Sequence, residues 1–101
     1  MNFLRGSTKG RITEAAVLKH FKKRAQKGRG LFYKISDRYM TGFPDLIYIV
    51  DANVFFIELK RPGENPTPAQ AKHGLKIKAA GGNWICIDSI ESVDRFFNQG
   101  F

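Results

Sequence analysis

Gly42-Phe43-Pro44-Asp45-Leu46-Ile47-Tyr48-Ile49-Val50-Asp51-Ala52-Asn53-Val54-Phe55-Phe56-Ile57-Glu58-Leu59-Lys60 is the stretch that decides the fold. Two runs rich in β-branched and aromatic residues, Asp45 to Val50 and Val54 to Lys60, flank the turn-prone Asp51-Ala52-Asn53 and read as a β-hairpin. Should Asp51 and Ala52 form a two-residue loop, Asp45 falls directly opposite Glu58; neighbouring turn choices move the partner by one or two residues. Facing residues of such a pair have Cβ atoms roughly 4.5–5.5 Å apart. Strand side chains alternate, so Glu58 and Lys60 emerge on one face and Leu59 on the other. Both runs are apolar at consecutive positions, which predicts strands covered on each side, as in a central sheet flanked by helices.

On the N-terminal side, Leu31 to Ile35 reads as a first strand, and Thr13 is placed to cap a helix that runs to about Ala25 or Lys27 and stops at Gly28. Glu14, Leu18, Phe21 and Ala25 share one stripe of that helix, with Val17 beside it, so Glu14 lies at the edge of the buried face. In the first helical turn it would also complement the helix dipole. On the C-terminal side, Thr67-Pro68-Ala69-Gln70 combines a capping threonine, a proline at the first helical position and a glutamine at the third, a strong helix start. That helix is expected to reach about Ala80 and end at Gly81-Gly82, with Asn83 to Ile87 following as a strand parallel to its predecessor. A short helix near Glu91 to Asn98, with Val93, Phe96 and Phe97 inward, closes the remaining face. The expectation is a single α/β domain over residues 1–101.

Seventeen basic against nine acidic side chains leave a net charge of +8. The excess lies in residues 1–38, where Arg5, Lys9, Arg11, Lys19, Lys22, Lys23, Arg24, Lys27, Arg29, Lys34 and Arg38 face only Glu14 and Asp37. A basic face on a near-neutral body suits a polyanion such as nucleic acid. A 43% hydrophobic share argues against a disordered basic tail. No apolar run approaches the ~18 residues that span a bilayer, and residues 1–11 lack a signal-peptide core, so no membrane role and an intracellular location are expected. The one cysteine, Cys86, excludes an internal disulfide or a cysteine-rich zinc site and reads as a core residue.

Two carboxylates held that close repel unless a proton or cation lies between them. Their hard oxygens suit Mg²⁺ or Mn²⁺, which keep waters and take further ligands from phosphate. Such a cation would polarise a phosphodiester and hold the attacking water, with Lys60 orienting or deprotonating that water or stabilising the charge that develops. Lys19, Lys22, Lys23, Arg29, Lys34, Arg38 and Arg61 are the candidates for phosphate contacts, and Tyr39 or Phe43 could stack an unpaired base or simply close a core edge.

With these residues assembled, the chain resembles the PD-(D/E)xK nuclease superfamily, and within it the virus-type replication-repair nuclease (VRR-NUC) domains. The resemblance rests on the helix carrying Glu14, on Gly42-Phe43-Pro44-Asp45, on Glu58-Leu59-Lys60 and on Pro68-Ala69-Gln70, and so covers nearly the whole chain. It implies a restriction-endonuclease-like α-β-β-β-α-β core with a central mixed sheet and Mg²⁺- or Mn²⁺-dependent phosphodiester hydrolysis. Glu14, Asp45, Glu58 and the backbone carbonyl of Leu59 would be metal ligands, Lys60 the catalytic lysine, and Gln70 a supporting residue at the site, though the capping box competes for its side chain. Stand-alone members of such families often cut branched DNA, four-way junctions included, as dimers. One site per small chain makes a C2 homodimer the economical way to cut two strands. Two rival readings are a non-catalytic nucleic-acid-binding protein and a sequence-specific restriction-type endonuclease, for which 101 residues leave little room for recognition segments.

Overall fold

The computed structural model describes residues 12–35 and 41–100. Along the chain it forms α1 (Glu14–Lys27), β1 (Leu31–Lys34), β2 (Leu46–Val50), β3 (Asn53–Leu59), α2 (Pro68–Ala79), β4 (Asn83–Ile87) and α3 (Ile90–Phe97). Among the described residues the strands make one mixed sheet in the order β1-β2-β3-β4. The first three run antiparallel, and β4 joins β3 in parallel after the α2 crossover. This is the α-β-β-β-α-β core expected from the sequence, followed by the short C-terminal helix also expected; that helix packs beside α1 on the core face and does not close the remaining one.

The hairpin register follows from its turn. Asp51 and Ala52 both take positive φ, 51° and 65°, the backbone of a type I′ loop whose twist matches that of paired strands. Val50 then faces Asn53 and the ladder continues to Leu46 opposite Ile57, its last pair. Asp45 lies one residue beyond it and its amide bonds to Ile57 O, so it does not pair directly with Glu58 as the turn alone predicted, although the two carboxyl groups remain neighbours. Helix ends are equally local in origin. Thr13 Oγ1 accepts from the Ala16 amide at 3.1 Å, Thr67 and Gln70 close a capping box, and Ser89 and Ser92 form a second one.

One sheet face carries the core. Leu46, Tyr48 and Val50 of β2 and Phe55, Ile57 and Leu59 of β3 pack with Val17, Phe21 and Ala25 of α1 and Val93 and Phe96 of α3. Phe21, fully buried, sits among the rings of Phe32, Tyr48, Phe96 and Phe97. Truncating such a ring to alanine removes about 3–5 kcal/mol, a large part of a small domain's stability. Within α1 the buried stripe is Val17, Phe21 and Ala25; Leu18 is half-buried and Glu14 exposed, which shifts the expected stripe by part of a turn. His20 Nε2 and Arg24 Nη1 both reach Asp94 and tie α1 to α3.

Coverage of the second sheet face is only partial, contrary to the two-sided burial expected. β2 alternates buried and half-buried, and Leu31, Tyr33 and Val54, which share that face by register, are exposed. Helix α2 lies instead against β4, where Gly74 meets Trp84 so closely that a Cβ would stand 2.2 Å from the indole ring. Apolar runs of this kind look alike whether one face or both are covered, so periodicity could not separate the two cases.

Candidate active site

Gly42-Phe43-Pro44-Asp45 is built to deliver a carboxylate. Gly42 has φ 85° and lies against the first turn of α2, where a Cβ would stand 2.6 Å from the Ala69 carbonyl carbon; only glycine meets both conditions. Phe43 packs edge-on to Phe56 and His73, so it closes a core edge, while Tyr39 lies outside the described residues. Pro44 is fully buried. The Asp45 amide donates to Ile57 O at 3.0 Å and its carbonyl accepts from the Ile35 amide at 2.7 Å, which fixes its backbone from both neighbouring strands. Its Oδ2 accepts from the Leu59 amide at 2.8 Å, stitching the carboxylate to the end of β3 just before β2 begins.

Glu58 is wholly buried, and neither carboxylate oxygen has a hydrogen-bond partner. Burial, and next the charge of Asp45, which is also placed to accept a hydrogen bond from protonated Glu58, raise its pKa from 4.5 to about 8. The Lys60 ammonium and the Trp84 indole N–H pull the other way. Lys60 is itself 6% exposed, and its amide donates to Ile87 O at 2.9 Å, locking the end of β3 to β4. An anionic Glu58 with two bare oxygens is costly in an apolar setting unless a proton or a cation is supplied. The residues present therefore fit a divalent cation, on the observation of those orphaned oxygens.

Glu14 projects from the first turn of α1 and lines, with Ala15, Leu18, Lys34, Asp45, Leu46 and Leu59, a concavity of about 160 Å³. Burial, then the Asp45 charge, raise the pKa of Glu14, so the two carboxylates act on each other. Asp45 thus stands between Glu14 on one side and Glu58 on the other. Among the described residues no three His, Cys, Asp or Glu side chains are gathered tightly enough to hold a metal by themselves. A cation at Asp45 and Glu58 would complete its shell with the Leu59 carbonyl, water or substrate oxygens, the mixed set that Mg²⁺ favours.

Several residues singled out in the sequence sit elsewhere than that reading placed them. The Gln70 Oε1 accepts from the Thr67 amide at 2.8 Å, so its side chain serves the helix cap rather than the carboxylates. Arg29 makes a two-bonded ion pair with Asp51 at the hairpin turn, the end of the sheet remote from Glu58. Cys86 belongs to the site face and not to the core: it is half-buried and pairs with Glu58 in register. Burial, with Asp88 and Glu58 nearby, pushes its thiol up to about 11, which makes it a poor nucleophile. Lys34 lines the concavity; Lys19 and Lys23 are exposed and Lys22 half-exposed on α1; Arg61 is exposed, 3.8 Å from Glu64. Arg38 lies outside the described residues. Trp84 was missed, because only the parallel pairing Phe56 with Trp84 brings it beside Glu58, and nothing local in the sequence sets that register.

Neighbouring carboxylates at the end of an antiparallel hairpin, a lysine two residues after the second, and an α-β-β-β-α-β frame define the PD-(D/E)xK nuclease fold. No family model matches the chain. A solved VRR_NUC domain superposes with a TM-score of 0.79 at 28% identity, over 87% of this chain and 97% of that one. "Putative nuclease p44" of Acyrthosiphon pisum secondary endosymbiont phage 1 is 34% identical over 79 residues, 77% of this chain and 85% of that protein. The chain belongs to the VRR-NUC nuclease family.

Proposed function

We propose that the chain is an Mg²⁺- or Mn²⁺-dependent endonuclease that hydrolyses phosphodiester bonds in DNA, acting inside a cell on branched substrates such as four-way junctions, as a homodimer. The observation that carries the reading is Glu58, fully buried with both oxygens bare, next to Asp45 and Lys60 at one end of the sheet. Lys34 and the first turns of α1 line the concavity that Asp45 also lines.

Asp45, Glu58 and the Leu59 carbonyl would hold the cation, with Glu14 joining from α1. When bound, such an ion lowers the pKa of a coordinated water and draws charge from a phosphoryl oxygen. Asp45 is held rigid by the Leu59 amide, which limits the motion of its free oxygen. Lys60 offers a fixed positive charge and N–H donors to the oxygens on which negative charge builds as water adds to phosphorus and the leaving oxygen departs. Its burial strengthens that interaction, since little water screens it. Lys34, and the α1 lysines farther out, would attract the flanking phosphates without reading sequence. Preference for branched DNA rests on the resemblance to nucleases of this kind and on one further point: paired cuts at a junction need two sites, which a C2 dimer supplies.

The test is cleavage of labelled four-way junction, flap and linear duplex DNA in Mg²⁺, Mn²⁺ or EDTA, comparing wild type with Lys60→Ala. Metal-dependent cutting, strongest on the junction and lost in the variant, is the expected result. Tight binding without cutting of any substrate by folded protein would move the chain to a non-catalytic binding role, and equal cutting of linear duplex would remove the structural preference. Sedimentation equilibrium tests the dimer, and a single 11.5 kDa species at working concentration would refute it.

A further inference from the structure

Buried beside Glu58 is a second polar group without a partner. The Trp84 indole Nε1–H makes no hydrogen bond, and neither do the two Glu58 oxygens. One is a donor lacking an acceptor; the other two are acceptors lacking a donor. Trp84 pairs with Phe56 and Cys86 with Glu58, so Trp84 and Glu58 share one sheet face, one strand apart and two residues along. The indole is held against α2 by Gly74, where even a methyl group would collide with the ring at 2.2 Å, and the Lys78 ammonium lies 5.8 Å from its centroid. The ring plane is therefore set by packing, independently of what Glu58 does. Buried N–H groups without acceptors are rare in folded proteins, and each calls for a specific explanation.

We infer that Trp84 is a positioning residue of the metal site: its indole N–H donates to one carboxylate oxygen of ionised Glu58, leaving the other oxygen for the cation. The inference rests on the proposed metal site and adds to it a donor that lies outside the nuclease motif. An outer partner of this kind fixes the orientation of a ligand, and losing one costs roughly 10–100-fold in metal affinity.

Trp84 is the chain's one tryptophan, which makes the test specific. In ¹⁵N-labelled, metal-free protein the single indole N–H resonance is followed in wild type and in Glu58→Ala, then through an Mg²⁺ titration. The expected result is an upfield move in Glu58→Ala and a response to Mg²⁺ in wild type only. An indole resonance indifferent to Glu58 overturns the inference. In parallel, tryptophan is replaced throughout by its benzothiophene analogue, which keeps the fused ring and removes only the N–H, and Mn²⁺ affinity is measured by calorimetry without DNA. Affinity weakened about tenfold or more, with thermal melting unchanged, supports the positioning role. Mn²⁺ binding that needs Glu58 but is untouched by the analogue overturns the role of Trp84 and leaves the metal site standing. Mn²⁺ binding by wild type no better than by Glu58→Ala overturns both.

Discussion

Replacing Glu58 by glutamine should stabilise the cation-free protein at and above neutral pH and give little benefit in acid. The carboxyl takes up its proton at about 8 in the folded chain against 4.5 as its ordinary value. Between those values the folded state holds a proton that the unfolded chain has released, so stability falls as pH rises and levels off above the folded value. At about 1.36 kcal/mol per unit, the full span is worth about 5 kcal/mol as an upper bound, comparable to the whole stability of a small domain. Glutamine keeps the shape and loses the titration. Urea unfolding in EDTA at several pH values from about 5 to 8.5 should therefore show the advantage of Glu58→Gln widening with pH by up to about 1.4 kcal/mol per unit. Saturating Mg²⁺ should then restore the wild type, by about 2.7 kcal/mol at a hundred times the dissociation constant, and leave the variant unmoved. A difference between the two chains that stays constant from acid to alkaline pH would refute the account of Glu58 as a buried carboxylate awaiting a cation.

Other substitutions probe the frame around that carboxylate. Ala52 holds φ 65°, a conformation that costs a non-glycine residue about 1 kcal/mol, so Ala52→Gly should raise the urea midpoint while the Leu46 to Ile57 register and any cutting activity persist. Gly42→Ala should drive the motif loop off the first turn of α2, lose roughly 1–3 kcal/mol in thermal melting and abolish cleavage even where the chain stays folded. Lys34→Gln should lower the salt slope of DNA binding by about one unit, whereas Arg29→Gln, which releases only Asp51, should leave it unchanged; equal effects would place both ends of the sheet on DNA.

The parts of this fold that the sequence already specified are those decided within about fifteen residues. A two-residue turn suffices to set the ladder from Val50 and Asn53 to Leu46 and Ile57 and so to bring Asp45 near Glu58, though the Asp45 amide turns to Ile57 O instead of pairing with Glu58. Thr13, Thr67 and Gly28 mark helix ends through bonds to residues three or four away, which is why those boundaries were legible. Even the carboxylate pair, with its need for a counter-charge, could be argued from charge and spacing alone.

What the tertiary structure decided is everything set by burial and by distant register. Gln70 had two available partners in the sequence, and the nearby Thr67 amide engages it because a bond three residues away needs little further ordering. Arg29 counted as one more cation until the hairpin turn carried Asp51 to it. Cys86 looked apolar in a run of isoleucines, yet the parallel pairing across the α2 crossover puts it opposite Glu58, and the same pairing brings Trp84 alongside. Gly74 of α2 seats on the indole in that arrangement, a contact between elements that no local pattern encodes. The nuclease motif was written in the chain; the burial that leaves Glu58 with two bare oxygens beside an unpaired N–H is a collective result of packing, since desolvation depends on every element that closes over the site.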